Sequence, residues 1–266
     1  MRILFFGDIV GKRARASLLE NLGAIMAENN ADFAVANAEN AAHGFGITDK
    51  IAAELLKKFD ALTLGDHTLD KREIITLLKA EPRVLRPHNW GKVSAGSGVG
   101  VFNKNGKRIV VINLLGSLFM NRTEIGNPFL ALEEILKEFR LGVNADAIFV
   151  DFHCEATSEK NAMGRAFDGR VSAVIGTHTH IPTADALILP KGTAYMTDVG
   201  ACFDQGSIIG MDAAAAIGRF YGKETKLKPA EGEPTLCGVV VEIGKDGLAR
   251  GIKPLVYGKP WTRSKN

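Results

Sequence analysis

Short apolar runs, each the length of one buried strand, alternate along this chain with longer segments of helical period. That alternation restricts the fold to βα units around a largely parallel sheet. Residues 3–6 form the first run, and Leu18, Leu19, Leu22, Ile25 and Met26 follow at helical spacing before a second strand over 33–36. Leu55 and Leu56 fall on a further helix, 61–64 predicts a strand, 71–80 a helix and 84–85 a short strand. The pattern then changes, because residues 99–102 and 109–114 flank Asn105-Gly106, a strong hairpin-turn signal. Residues 128–141 predict a helix, 147–150 and 171–175 buried strands, and 211–221 a helix. A second hairpin is expected where 235–243 and 248–256 flank residues 244–247. Nothing reads as a linker or a repeat, so a single domain over residues 1–266 is expected.

The hydrophobic content of 46% supports a substantial core. Lys and Arg number 33 against 30 Asp and Glu, and a net charge of +3 gives no strong signal for a nucleic-acid or membrane partner. The basic end, residues 259–265, reads as a solvated tail. Cys154, Cys202 and Cys237 fit no metal-finger spacing, and their odd number argues against a disulfide framework. The apolar run at the N-terminus is far shorter than the roughly 7–15 residues of a signal sequence. No later run reaches the ~18 apolar residues of a membrane helix. A soluble, cytoplasmic protein is expected.

The polar residues that end the apolar runs carry the chemistry. Asp8 follows the first run, Glu39 and Asn40 the second, Asp66 and His67 the third, His153 the run from 147, and His178 and His180 the run from 171. In open α/β sheets, ligands bind at the carboxyl ends of the strands, so these five segments can converge. Carboxylates combined with imidazoles suit Mn, Fe or Zn, whereas an all-oxygen set would suit Mg or Ca. His178 and His180 are two apart, and in an extended segment both side chains project to one side. Taken singly, Asp8 and Asp66 have a competing reading as helix caps, and His153 as an ordinary hydrogen-bonded histidine. The coincidence of five such segments favours a metal site. Gly7-Asp-Ile-Val-Gly11-Lys12 lacks P-loop spacing, and Gly96-Ser-Gly-Val-Gly100 reads as a turn. His43, His88 and Trp90 fall in loops able to line a substrate cleft. Cys154, beside His153, is expected to be buried and inert.

Five ordered segments, Gly7-Asp-Ile-Val-Gly11, Asn37-Ala-Glu-Asn40, Gly65-Asp-His-Thr68, Asp151-Phe-His-Cys-Glu-Ala-Thr-Ser-Glu-Lys160 and Gly176-Thr-His-Thr-His180, resemble the YmdB-like branch of the calcineurin-like metallophosphoesterases. The similarity continues through Thr197-Asp-Val-Gly200. The resemblance implies an α/β fold, a four-layer αββα sandwich, with two divalent metal ions, Fe or Mn as the family expectation and Zn or Mg as alternatives. Carried over, Asp8, Glu39, Asn40 and His180 would hold one ion, Glu39, Asp66, His153 and His178 the other, with Glu39 bridging. It also implies hydrolysis of phosphodiesters, including 2′,3′- or 3′,5′-cyclic nucleotides, by hydroxide attack with His67 as general acid. Two alternatives stand beside it: a nucleotide phosphomonoesterase, and a nucleotide-binding regulatory protein with a slow metal centre. The expected partner is a small phosphodiester or nucleotide, and a homo-oligomer is compatible with the resemblance. Two departures from the broader superfamily are visible. Val10 stands where its first motif has histidine, and Asp66 stands where the third commonly has Asn. With Asp66 ionised, three carboxylates and a hydroxide would cancel two divalent ions, whereas an Asn would leave one positive charge.

Overall fold

The computed structural model describes residues 1–258; the basic tail at 259–265 lies outside them. In chain order the strands and helices are β1 (Arg2–Phe6), β2 (Asp8–Ile9), α1 (Gly11–Asn29), β3 (Phe33–Asn37), α2 (Asp49–Leu55), β4 (Ala61–Thr63), α3 (Ile74–Ala80), β5 (Val84–Leu85), β6 (Val99–Lys104), β7 (Lys107–Leu115), α4 (Pro128–Glu138), β8 (Ala147–His153), α5 (Thr157–Ala166), β9 (Ala173–Thr177), β10 (Leu187–Ile188), β11 (Ala194–Met196), β12 (Ala201–Cys202), α6 (Ala213–Phe220), β13 (Thr235–Ile243) and β14 (Ala249–Gly258).

Two six-stranded sheets, ordered β14-β13-β1-β3-β4-β5 and β10-β11-β9-β8-β7-β6, face each other. The inner strands of each are parallel, and antiparallel strands flank them: β13 and β14 in the first sheet, β6 and β10 in the second. The inner strands are apolar on both sides because both of their faces are covered, whereas the edge strands β6, β10 and β14 carry exposed residues. Leu4 and Phe6 of β1 pack with Leu18 and Leu22 of α1, while Ile3 and Phe5 meet Phe149 and Ile175 of the opposite sheet. On the far side, Ile148 and Val150 of β8 pack against Leu132 and Ile135 of α4 and Met163 of α5. The result is the four-layer αββα sandwich. Its central apolar layer includes the Phe5 and Phe149 rings, with centroids 5.1 Å apart.

The hairpins form where expected. Lys104 pairs with Lys107 across Asn105 and Gly106, both at positive φ as a two-residue hairpin turn requires. The expectation of one largely parallel sheet gives way to two mixed sheets: the two expected hairpins add antiparallel strands, and β10, antiparallel to β11, adds one that the sequence pattern does not mark. Helix α5 carries no readable apolar period because Glu159 and Lys160 are themselves among its buried residues. Instead of one helix over 71–80, a 3-10 turn (Thr68–Asp70) precedes α3.

Candidate metal centre

The carboxyl ends of β1, β3 and β4 from one sheet and of β8 and β9 from the other meet at one place. His153 is the last residue of β8, while Glu39, Asn40, Asp66 and His178 lie in the turns just beyond their strands. One ligand atom from each of Glu39, Asp66, His153 and His178 lies within 4.8 Å of all the others. His153 Nε2 is 3.2 Å from Glu39 Oε1, 3.3 Å from Asp66 Oδ1 and 3.0 Å from His178 Nδ1.

A second group adjoins the first through Glu39. The Asn40 amide nitrogen is 3.2 Å from Glu39 Oε1 and 3.1 Å from His180 Nε2. Asp8 accepts the His178 backbone N–H at Oδ2 (3.1 Å). Its Oδ1 and the Asn40 Oδ1 are both buried without a hydrogen-bond partner. Buried oxygens left unpaired cost free energy that a cation would offset, and the mixed nitrogen and oxygen donors suit a transition metal. The residues therefore fit divalent ions. Neither aspartate caps a helix: the N-cap of α1 is Val10, that of the 3-10 turn is His67, and neither helix start has a side-chain cap bond.

The backbone is shaped to this cluster. His178 and His180 do not lie on an extended segment; their φ values are 99° and 68°, so a left-handed bend after β9 turns them inward. A Cβ at Gly65 would run into the Glu39 carboxylate and the His153 ring, so only glycine allows the chain this close.

Neighbouring polar groups fix the imidazoles. Thr177 Oγ1 donates to Asp151 Oδ1 (2.7 Å) and lies 2.9 Å from His153 Nδ1. With that hydroxyl proton committed, His153 Nδ1 donates to Thr177 and Nε2 is turned to the carboxylates. His180 Nδ1 donates to the Ile209 carbonyl (2.8 Å), which frees its Nε2. Asp198 secures the His178–His180 bend, accepting from Thr179 N (3.1 Å), Thr179 Oγ1 (2.8 Å) and the buried Lys160 ammonium (2.7 Å).

Electrostatics follow from this crowding. Burial pushes the His153 imidazole down, but Glu39, Asp66 and Asp8 outweigh it and hold its pKa well above the ordinary value. Burial opposes ionisation of Asp66, yet the hydrogen bond from His153 and the fields of His153, His67 and His178 keep its carboxyl below the usual range. His178 is pushed down to about 4 by burial and by His153, against Glu39 and Asp66. Asp151, fully buried, is pushed up to about 7 by desolvation, against His153 and its threonine donors.

His67 stands at the edge. Its backbone N–H donates to Glu39 Oε2 (3.1 Å), its Nδ1 meets Asp70 Oδ2 at 2.7 Å, and Phe45 packs edge-on at 5.0 Å. Arg122 reaches in from the loop after β7, its Nη2 3.1 Å from Asp66 Oδ2 and 3.3 Å from His67 Nδ1. Cys154 is buried and its thiol donates to Glu159 (3.2 Å), with burial and that carboxylate pushing its pKa up. Trp90 is also buried, a brace for the Arg122 loop rather than a cleft wall, while His43 and His88 are exposed. Sequence alone does not single out Asp70, Arg122, Asp151, Lys160 and Asp198. Asp151, Lys160 and Asp198 do fall within the motif segments, but Arg122 lies in none.

The model of the YmdB-like protein family matches residues 4–255. The 2′,3′-cyclic-nucleotide 2′-phosphodiesterase of Bacillus subtilis (strain 168) is 44% identical over 245 residues, 91% of either chain. Among solved structures, a novel phosphatase from Mycoplasma pneumoniae superimposes with a TM-score of 0.90 at 33% identity, covering 97% of this chain and 93% of that one. A hypothetical protein from Thermus thermophilus gives a TM-score of 0.89 at 35% identity, covering 98% of this chain and 100% of that one.

Proposed function

This chain belongs to the YmdB-like protein family, and from that premise we propose that it is a metal-dependent phosphodiesterase that hydrolyses small cyclic nucleotides, 2′,3′-cyclic nucleotides first among them. The observation that carries the reading is the Glu39, Asp66, His153 and His178 cluster, within 4.8 Å and flanked by the unpartnered oxygens of Asp8 and Asn40. In this proposal Asp8, Glu39, Asn40 and His180 hold one divalent ion and Glu39, Asp66, His153 and His178 the other; the donor set suits Mn, Fe or Zn, and the family resemblance puts Mn or Fe first. When bound, the ions supply Lewis acidity toward the phosphate and an acidified water.

The chain supplies orientation and protons. Thr177 and the Ile209 carbonyl hold His153 and His180 with Nε2 turned inward. Asp70 accepts from His67 Nδ1, so that the imidazolium form keeps its Nε2 proton for the departing ribose oxygen and is left as the neutral imidazole protonated on Nδ1. The three free, buried cysteines suit a reducing compartment and so a cytoplasmic enzyme. Among the described residues no helix is long and apolar enough to cross a membrane.

The test is elemental analysis of the purified protein, followed by hydrolysis of bis(p-nitrophenyl) phosphate and of 2′,3′-cyclic AMP with and without added Mn²⁺. About two equivalents of metal and metal-dependent diester turnover are expected. Turnover of a monoester but not of either diester would move the assignment to a phosphomonoesterase. Tight nucleotide binding without hydrolysis under any metal would move it to a regulatory protein.

A further inference from the structure

We propose that Arg122 is the phosphate anchor of this site, held in place by Asp66, whose carboxylate serves the imidazole cluster with one oxygen and the guanidinium with the other. The inference rests on the phosphodiesterase reading and deepens it.

The loop between β7 and α4 is fastened on both sides of Arg122. Upstream, Gly116 N donates to the His153 carbonyl (2.9 Å), and Glu159 accepts from Ser117 N (2.9 Å), Ser117 Oγ (2.8 Å) and Leu118 N (3.1 Å). Downstream, the Trp90 indole donates to the Thr123 carbonyl (2.9 Å), Gly91 N to Glu124 O (3.0 Å) and Gly126 N to Asn89 O (2.7 Å). Arg122 is thus delivered to the cluster by a braced backbone.

Its guanidinium engages Asp66 Oδ2 through Nε (3.2 Å) and Nη2 (3.1 Å), with Asp70 Oδ1 3.9 Å from Nη2. Nη1 makes no hydrogen bond among the described residues, and the side chain is 30% exposed. Two N–H groups of a permanent cation therefore stand open beside the cluster. A guanidinium is the side chain best matched to phosphate oxygens.

Asp66 explains the position. Its Oδ1 lies 3.3 Å from His153 Nε2 and 3.5 Å from His178 Nδ1, on the opposite side of the carboxylate from Arg122. An asparagine there would turn an NH₂ group either toward the guanidinium or into the imidazole cluster, so it could not serve both. The Asp66–Arg122 pair sums to zero charge. To an approaching phosphate it is worth what a neutral amide at position 66 would be, with two donors added.

The test compares wild type with Arg122→Gln and Arg122→Lys. Calorimetry with inorganic phosphate is run on the Mn²⁺-loaded protein, beside metal content, melting temperature and the kcat and KM for bis(p-nitrophenyl) phosphate. Arg122→Gln is expected to weaken phosphate binding and raise KM by roughly 10- to 100-fold, with metal content and melting temperature unchanged. Arg122→Lys is expected to restore part of the phosphate affinity, because it keeps the charge but loses the fork. Unchanged phosphate affinity and KM in Arg122→Gln, in a protein whose wild type hydrolyses the diester, would overturn the inference and leave the phosphodiesterase reading standing. Loss of metal in Arg122→Gln would also overturn it, by making Arg122 only a support for Asp66. A wild type that hydrolyses no diester would sink the enzymatic reading, while phosphate binding that depends on Arg122 would still support the anchor.

Discussion

His67 and His153 have the same side chain and opposite surroundings. His153 is fully buried, with Nε2 facing two carboxylates, whereas His67 is partly exposed and paired through Nδ1 with Asp70. That difference separates holding metal from moving a proton. His67→Ala is expected to lower kcat roughly 10²- to 10⁴-fold while the protein keeps its full metal complement by elemental analysis. Loss of metal would make His67 a ligand instead. The candidate residues were legible in the sequence because a charged or imidazole side chain at the end of an apolar run is conspicuous. Arg122 and Asp70 were not, since their importance arises from where a loop and a 3-10 turn place them, and neither has a spacing signature.

Helix α5 and the bend after β9 form one unit through the Lys160–Asp198 ion pair, in which both side chains are essentially inaccessible. Breaking a buried pair from one side strands the other charge. Lys160→Met is expected to destabilise the protein by about 3–5 kcal/mol in urea denaturation, and adding Asp198→Asn should recover part of that loss. The metal content of the single variant should fall too, because Asp198 fixes Thr179 between His178 and His180. The strands and hairpins could be read from sequence because their residues are apolar or have turn chemistry. Helix α5 was invisible for the opposite reason, as its buried face carries Glu159 and Lys160. The bend itself could not be read, since positive φ at two histidines is imposed by the partners of Asp198 rather than by local preference.

Across the whole molecule, the site lies where two sheets meet, and its charges couple to folding. Asp151 titrates near 7 when folded against an ordinary 3.8, and His153 is raised above 6.5. In both cases the folded state holds protons that the unfolded state has released. Their stabilisation is full below the unfolded pKa and is lost as pH rises through the folded one. For Asp151 that window runs from 3.8 to about 7. Metal-free wild type should therefore lose stability relative to Asp151→Asn as pH rises across it, measured by urea denaturation in chelator. Metal uptake should displace the His153 proton, so the metal-induced rise in melting temperature should be greater at about pH 8 than at about pH 6.

The hydrogen bond from the Trp90 indole to the Thr123 carbonyl also gives the molecule an optical reporter. This ring is buried, one residue from the attachment of Arg122, and the chain's other tryptophan, Trp261, lies outside the described residues. Its emission wavelength is consequently tied to the seating of the Arg122 loop, so loop release would register as a red shift in light that the protein already emits.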